Sequence, residues 1–227
     1  MSFWVEMHMH TEMGSKDASI DTDALFEEAL GMGINGICVC EHFDFNAVTK
    51  ESYLQAYKSY IRLKELAENT DLKVFPGIEI KVSKHVEYLV YGVVIPYEIL
   101  LLEWSEAVSQ IENLGGLVVR AHPFRDCDEC LSCKGVEIYN RKSLQSENLK
   151  CLEWIKQQMQ GEASFYYTVG SDAHDFDEIG SVVAVFHGII EDDLTFVSKI
   201  KSKSYEGFII DGSYLNVESL FSSFGGF

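Results

Sequence analysis

The sequence predicts an α/β protein folded as one closed or nearly closed barrel. Apolar strand-like segments alternate with amphipathic helix-like segments along the 227 residues, a pattern typical of a parallel sheet covered by helices, with about seven such units. No proline- or serine-rich linker, low-complexity tract or internal repeat separates the units. Hydrophobic residues make up 47% of the chain, enough for one substantial core. We therefore expect a single domain over residues 1–227.

The first half of the chain supplies four predicted strands and two predicted helices. Residues 3–10 alternate as a strand does, whereas Leu25, Phe26 and Ala29 recur at helical spacing before a glycine stop. The predicted strands are FWVEMHMH (3–10), GICVC (36–40), KVFPGIEI (73–80) and EYLVYGVVI (87–95), and the helices are DTDALFEEALGMGI (21–34) and SYLQAYKSYIRLKELAENT (52–70).

The second half continues the alternation. The predicted strands are LVVRAHP (117–123), GVEIYN (135–140), SFYYTVGSDAH (164–174) and SVVAVF (181–186). The predicted helices are YEILLLEWSEAVSQIENLGG (97–116), SENLKCLEWIKQQMQ (146–160) and EDDLTFVSKIKSK (191–203). The phenylalanine- and glycine-rich segment 219–227 suggests packing on the barrel or an interface and indicates no chemistry.

The composition argues against several classes of partner. The chain has 18 basic and 36 acidic residues, a formal net charge of −18, so broad binding to nucleic acid or to an anionic membrane is not expected. No basic region followed by an apolar run marks a secretory signal, and the most apolar stretch is interrupted by Pro96 and Glu98. With six cysteines and no such signal, we expect a cytoplasmic, reduced protein. The sequence gives no signal for an oligomeric state.

Histidines and acids lie where the predicted strands end. In α/β barrels the carboxyl ends of the strands converge on one face, where active sites are built, so residues far apart in sequence are expected to meet there. These residues are His8, His10, His42, Glu79, His122, Asp172 and His174, with Asp17 in the loop after the first strand.

Such a set of side chains predicts a site for several metal ions. Imidazole and carboxylate together suit zinc, manganese or iron, and more ligands are present than one four-coordinate ion needs. We therefore expect two or three divalent ions, with Glu79 able to bridge two of them. A metal-activated hydroxide attacking a phosphate ester is the reaction that such a cluster favours.

The same motifs, in the same order, resemble the PHP family, named for polymerase and histidinol phosphatase. They are HMHTEMGSKD, CEHFDF, PGIEI, RAHPFR, GVEIYN and GSDAH, from about Met7 to His174. The resemblance implies a distorted (β/α)7 TIM-like barrel with a trinuclear metal centre and metal-dependent phosphoester hydrolysis. It matches His8, His10, Asp17, His42, Glu79, His122, Asp172 and His174 to the family's metal ligands.

Two positions depart from the family pattern. The second motif reads Glu41-His42 instead of Asp-His, and we interpret Glu41 as orienting His42. Relatives often carry a histidine just before the strand that follows Glu79, where the simplest alignment places Tyr88. His85, three residues earlier, is kept as a candidate metal ligand.

Two arginines are the predicted substrate-binding residues. Arg125 follows His122 and is expected to clamp a phosphate in bidentate fashion, the alternative being a surface ion pair with Asp126 or Asp128. Arg141, after GVEIYN, is the second candidate. Asp172, His174 and Arg125 are the catalytic candidates.

A cysteine-rich loop is predicted at the rim of the site, at about residues 126–134. Cys127, Cys130 and Cys133 form a C-x2-C-x2-C pattern that lacks a fourth nearby ligand. A bound zinc ion, a redox-sensitive loop and reduced thiols all remain open for it.

The expected substrate is either a small phosphomonoester, such as histidinol phosphate, or a nucleotide or short oligonucleotide. Two rival functions stay in view. An amidohydrolase-like C–N hydrolase also begins with H-x-H, but it typically needs a bridging lysine and a lone final aspartate, where this chain has Glu79 and D-x-H. A catalytically degenerate PHP regulatory module is the non-enzymatic rival.

Overall fold

One curled sheet organises the chain. The computed structural model describes residues 2–125, 134–159 and 165–223. Its strands are β1 (Ser2–Met9), β2 (Gly36–Val39), β3 (His42–Asp44), β4 (Lys73–Ser83), β5 (Val86–Tyr91), β6 (Leu117–Arg120), β7 (Gly135–Asn140), β8 (Tyr166–Gly170), β9 (Val182–His187), β10 (Tyr205–Ile210) and β11 (Ser213–Asn216). Its helices are α1 (Thr22–Gly31), α2 (Lys50–Ala56), α3 (Lys58–Ala67), α4 (Trp104–Asn113), α5 (Gln145–Met159), α6 (Asp193–Lys201) and α7 (Val217–Ser223).

The sheet is mixed, not parallel as the alternation predicted. Its strand order is β11-β10-β9-β1-β2-β4-β5-β6-β7-β8, with β3 beside β4. β5 is antiparallel to both β4 and β6, and β9 is antiparallel to β1 and β10. Between β4 and β5 only residues 84–85 turn the chain, too few for the helical crossover that parallel strands need.

The two ends of the predicted ligand set meet where β1 passes the end of β8. The first half of β1 pairs with β9, whereas its second half contacts the residues that follow β8. The backbone nitrogen of Asp172 donates to His8 O at 2.8 Å, and that of His10 donates to Ala173 O at 2.9 Å. The fold is therefore a mixed α/β fold with a half-barrel sheet curled almost onto itself, and the expected (β/α)7 barrel is not confirmed.

Three clusters of buried hydrophobic residues pack the helices onto the sheet. The largest joins the central strands to α5 and α6, where Phe75 and Phe196 stack with ring centroids 4.2 Å apart. A second cluster lies under α1 and includes Leu25 and Phe26, and a third lies near α2 and α4. Burial of this apolar surface is the main stabilising term for the sheet that holds the site.

Several elements differ from the predictions. The helix expected over 52–70 is two helices, α2 and α3, separated at Tyr57. The segment 97–116 begins with a 3-10 turn over Tyr97–Leu101 before α4. β10, β11 and α7 were not predicted, although Asp211-Gly212 is a strong hairpin signal, and both residues have positive φ.

Among the described residues, no helix has the length and apolar character that a bilayer crossing requires.

Candidate metal centre

All but one of the predicted metal ligands meet at one end of the curled sheet. They surround a cavity of about 430 Å³ whose wall includes Asp17, His42, Glu79, His122, Asp172 and His174. His8 and His10 are fully buried beside it. The convergence follows from the local topology, because the ligands come from the ends of β1, β6 and β8 and from the paired strands β3 and β4.

Glu79 is the carboxylate at the middle of the set. Its Oε1 lies 2.9 Å from His122 Nε2 and 3.5 Å from His8 Nε2. Its Oε2 lies 2.9 Å from His42 Nδ1 and 3.6 Å from His10 Nε2. One carboxylate thus faces four imidazoles, which is the arrangement expected of a bridging ligand.

Asp172 is the second shared carboxylate. Its Oδ1 lies 3.3 Å from His10 Nε2 and 3.7 Å from His8 Nε2. Its Oδ2 accepts hydrogen bonds from Arg125 at 2.9 Å and from Asn140 at 3.2 Å. Asp172 therefore offers one oxygen to the histidines while two donors fix the other.

The outer edge of the site is formed by the most exposed candidates. Asp17 Oδ2 lies 3.4 Å from His42 Nε2 and 3.8 Å from His174 Nε2. The two imidazole nitrogens lie 3.3 Å apart. Asp17 has a 62% exposed side chain, so this edge is the one that solvent and a substrate reach most easily.

Strained backbone helps to aim two of the ligands. His122 has φ 25° and Asp172 has φ 57°, in the left-handed region that non-glycine residues rarely adopt. At Gly170 a Cβ atom would lie 2.2 Å from Glu137 Oε1 and 2.6 Å from His8 Cβ. The end of β8 therefore needs glycine to let these side chains approach, which explains the small residues in the GSDAH motif.

Groups outside the cavity fix the ring nitrogens that face away from it. His174 Nδ1 lies 2.8 Å from the carbonyl oxygen of Asp172, which can only accept, so this nitrogen carries a proton. His8 Nδ1 lies 2.8 Å from Glu137 Oε1, and Glu137 also accepts from the backbone nitrogen of His122. In both histidines Nε2 is left to face the other ligands.

The donor set fits divalent metal ions. Nε2 of His8 and Nε2 of His10 lie 3.2 Å apart, and two imidazole nitrogens at that distance are joined either by the hydrogen of an N–H donor or by a metal ion. The distances resemble the ~3.4 Å edge of a tetrahedron with bonds of about 2.1 Å. Three groups of residues have ligand atoms close enough to share an ion: His8, His10 and Asp172; His10, His42 and His174; and Glu79, Glu87 and His122.

The pKa shifts in the metal-free protein show how strongly these groups interact. Burial opposes a charged His8, but Glu137, Asp172 and Glu79 outweigh it and raise the pKa of that ring well above its usual value. Burial lowers the pKa of His10 to about 4. Despite their burial, the nearby histidines hold the pKa values of Glu79 and Asp172 well below the usual range. Both carboxylates are thus ionised and ready for a cation.

His85 is the predicted ligand that the structure does not bring to the site. It lies in the exposed turn between β4 and β5 and belongs to none of the three groups found in the described residues. Glu87 lies at the site in place of His85, with its Oε2 3.4 Å from His122 Nε2. Because side chains alternate along β5, Tyr88 faces the other way and packs against Trp104.

The two predicted arginines occupy different places. Arg125 lines the cavity and donates to Asp172. Arg141 pairs with Asp211 at 2.8 Å and with Glu178 at 3.5 Å, away from the cavity wall. Its neighbour Lys142 lines the cavity and contacts Glu178.

Sequence reasoning missed Glu87, Glu137 and Lys142 as site residues. Glu137 had a detectable signal, since an acid within a buried apolar strand needs a partner. Glu87 follows only from the register of β5, and the orientation of Lys142 follows only from the turn after β7. Cys127, Cys130 and Cys133 of the predicted rim loop lie outside the described residues. Cys38, Cys40 and Cys151 are buried and form no disulfide within the described part of the chain.

A second, larger cavity adjoins the first. Its volume is about 880 Å³, and Asp17, His42 and Glu87 line both cavities. The rest of its described wall is polar and carries both charges, with Lys16, Lys81, Asp44 and Glu51 among its residues and Phe43 as its aromatic residue. Phe43 is only 2% exposed.

The chain is similar to known proteins in sequence pattern and in fold. The family model described as PHP domain matches residues 6–197. A search of curated proteins finds no match.

Several solved structures share the fold. A two-domain protein from Bacteroides vulgatus, described as containing a predicted PHP-like metal-dependent phosphoesterase, aligns with TM-score 0.72 and 13% identity over 99% of this chain and 69% of that one. The lesion-specific endonuclease of Pyrococcus furiosus aligns with TM-score 0.61 and 14% identity over 93% and 60% of the chains. An amidohydrolase from Chromobacterium violaceum with bound sulfate aligns with TM-score 0.52 and 13% identity over 77% and 88%.

Proposed function

Because the chain belongs to the PHP domain family, we propose that it is a metal-dependent phosphoesterase acting on a small phosphomonoester. One observation carries the proposal. Three groups of histidines and carboxylates, two of which share His10, lie in or directly behind the wall of a single cavity, and two basic side chains, Arg125 and Lys142, lie in the same wall. Cation ligands and anion-binding side chains facing one cavity are what a phosphate ester requires.

The residues that would hold two or three ions are those of the three groups. When bound, divalent ions such as zinc, manganese or iron supply Lewis acidity to a phosphoryl oxygen and to an attacking water. Glu79 and Asp172 each face more than one histidine and are the residues we assign as shared ligands. Asp17, at the exposed edge beside His174, completes the set that we propose.

Arg125 and Lys142 would bind the phosphate. Arg125 is anchored through Nη2 to Asp172 and through Nε to Ser143 at 3.3 Å, so the guanidinium is held in place before a substrate arrives. Lys142 is held by Glu178, which also accepts from the backbone nitrogen of His174. Preorganised donors of this kind stabilise the charge that develops on a transferring phosphoryl group. His85 remains a candidate metal ligand, and Arg141 a candidate substrate-binding residue, on the sequence alone.

Of the two substrate classes, the described residues favour the small phosphomonoester. Oligonucleotides usually bind on exposed aromatic rings in a basic groove. In the described walls of the two cavities the aromatic residue is the buried Phe43, and acidic residues outnumber the lysines and arginine.

The test uses purified protein, a chromogenic phosphate ester and a panel of divalent ions. We expect turnover that needs an added ion and is lost in the His10→Ala/Asp172→Ala double variant. His187→Ala serves as the matched control, since His187 is exposed at the end of β9 and pairs with Glu206. Equal turnover by the double variant and the wild type would rule out the proposed site.

The rival functions can be separated with the same material. Amides and phosphate esters assayed side by side distinguish a C–N hydrolase from a phosphoesterase. A C–N hydrolase is disfavoured because it typically needs a bridging lysine, and this chain has Glu79 at that position. Elemental analysis distinguishes a regulatory module, for which less than one ion per chain is expected, from an enzyme with two or three.

A further inference from the structure

The hydroxyl of Ser15 links the candidate metal centre to a buried acid outside it. The Ser15 oxygen lies 3.3 Å from His10 Nδ1 and 3.1 Å from the backbone nitrogen of His42. On the other side it lies 2.6 Å from Glu41 Oε2. Ser15 borders the 880 Å³ cavity but is only 1% exposed. One hydroxyl thus contacts two residues of the metal centre and one acid that belongs to none of the three ligand groups.

Glu41 is surrounded by hydrogen-bond donors. Its Oε1 accepts from the hydroxyls of Thr11 and Ser59, each at 2.6 Å, and from the backbone nitrogen of Thr11 at 3.2 Å. Gly14 makes room for it, because a Cβ atom there would lie 2.3 Å from Glu41 Cγ. Burial raises the pKa of Glu41, whereas the hydrogen bonds from Ser15, Ser59 and Thr11 oppose that shift. Ionised Glu41 accepts and does not donate, so it directs the proton of the Ser15 hydroxyl towards itself.

The hydrogen-bonding capacity of Ser15 then decides the state of His10. A serine hydroxyl donates one proton and accepts with two lone pairs. The proton goes to Glu41, and one lone pair accepts from the backbone nitrogen of His42. The other lone pair can only accept from His10, so Nδ1 carries the ring proton and Nε2 keeps its lone pair. That Nε2 lies 3.3 Å from Asp172 Oδ1, a carboxylate oxygen that would accept from an Nε2–H. Ser15 and Asp172 thus favour opposite tautomers of His10, and the tautomer shows which contact prevails.

We propose that Glu41 and Ser15 are positioning residues that hold His10 in the Nδ1–H tautomer, with Nε2 available to a metal ion before any ion binds. The inference rests on the proposed function in taking His10 as a ligand. It revises the sequence-based interpretation of Glu41, whose carboxylate reaches His42 only through the Ser15 hydroxyl. A ligand oriented in advance loses less freedom on binding, and partners of this kind are typically worth about 10–100-fold in metal affinity.

Two measurements on the full chain test the proposal. Long-range ¹H–¹⁵N NMR of the histidine rings in metal-free protein reports the tautomer, with His10 assigned from the spectrum of a His10→Asn variant. Competition with a zinc chelator reports metal affinity. In the wild type we expect the Nδ1–H form of His10. Ser15→Ala is expected to shift His10 towards the Nε2–H form and to weaken zinc binding by about 10–100-fold.

Matched variants separate positioning from general stability. Ser59→Ala also removes a 2.6 Å hydrogen bond to Glu41 but does not touch His10, so it should keep the wild-type tautomer and affinity. Ser15→Thr restores the hydroxyl and should restore both readouts. Glu41→Gln keeps the size of the side chain but removes the obligation of Ser15 to donate to it, and it should also shift the tautomer.

These measurements can support or overturn the proposed role of Ser15 and Glu41. A wild-type His10 with its proton on Nε2, or equal effects of Ser15→Ala and Ser59→Ala, would overturn the proposal. The tautomer is measured in metal-free protein, so it tests the role of Ser15 and Glu41 even if the chain binds no metal. Failure to bind metal would instead count against the proposed function.

Discussion

Lys142 and Arg141 are adjacent in the sequence but have different surroundings. Both contact Glu178, yet only Lys142 lies in the wall of the 430 Å³ cavity. Arg141 turns towards Asp211 in the β10–β11 turn. The sequence suggested Arg141 as a substrate-binding residue, because nothing in the pattern tells which of two consecutive basic side chains faces a cavity.

Replacing each residue separately tests this difference. Lys142→Ala should lower kcat/KM for a phosphate ester by roughly tenfold to a hundredfold, because a hydrogen bond to a charged group is worth about 1.5–3 kcal/mol. Arg141→Ala should leave kcat/KM close to that of the wild type. The reverse ranking in steady-state kinetics would restore the sequence-based assignment.

Glu6 is a buried acid that the proposed chemistry does not use. It lies within β1, where the hydroxyl of Ser171 is 3.0 Å from Oε1 and the backbone nitrogen of Gly180 donates to Oε2 at 3.1 Å. Burial, which disfavours the charged form, raises the pKa of Glu6 from 4.5 to about 8.

The raised pKa of Glu6 predicts how stability depends on pH. Between pH 4.5 and about 8 the folded protein keeps a proton that the unfolded chain releases, so this group makes the free energy of unfolding fall as pH rises. Glu6→Gln should lack this fall. Urea unfolding in EDTA, repeated between pH 4.5 and about 8, measures this fall in the free energy of unfolding. Glu12→Gln, at an exposed position, is the control. If the free energies of unfolding of wild type and Glu6→Gln change with pH in parallel, the raised pKa of Glu6 is wrong.

At the scale of elements, Tyr57 lies at the joint between α2 and α3. Tyr57 leaves helical geometry with φ −107° and ψ 3°. Its buried hydroxyl accepts a hydrogen bond from the backbone nitrogen of Ile95 at 3.0 Å. This contact ties the helical joint to the segment after β5.

Tyr57→Phe should therefore destabilise the protein. The buried amide of Ile95 would lose its partner, which costs about 1–3 kcal/mol. Tyr53→Phe is the control, since no hydrogen bond of the Tyr53 hydroxyl is found within the described ranges. Chemical denaturation that shows equal losses for the two variants would mean that the Ile95 contact contributes little.

At the scale of the whole molecule, metal binding should be coupled to folding. The ligands come from β1, β3, β4, β5 and the ends of β6 and β8. Unfolding would separate these segments, so an ion that binds the folded site stabilises the entire sheet. At a metal concentration a hundred times Kd the gain is about 2.7 kcal/mol for each site.

Thermal unfolding with and without manganese or zinc measures that coupling. Added metal should raise the midpoint of the wild type, and EDTA should reverse the increase. His10→Ala should respond much less, because His10 belongs to two of the three groups. His187→Ala should respond as the wild type does. An undiminished increase in His10→Ala would show that the stabilising ion binds elsewhere.

Much of the candidate site could be predicted from the sequence because its residues lie at or near the ends of predicted strands, in one order along the chain. A single imidazole or carboxylate after an apolar run is weak evidence, but His8, His122 and Asp172 belong to an ordered set. The types of most elements also followed from periodicity. Those signals are local in the sequence, so they can be recognised without knowledge of the fold.

Tertiary structure alone decided what depends on register and direction. Which of His85, Glu87 or Tyr88 faces the site follows from the antiparallel pairing of β4 with β5, because a shift of one residue reverses the face of a strand. The departure from an all-parallel sheet at β4 and β5 arises from the turn over residues 84–85, which is too short for a crossover. The path from Glu41 through Ser15 to His10 joins three segments whose contacts no local pattern encodes.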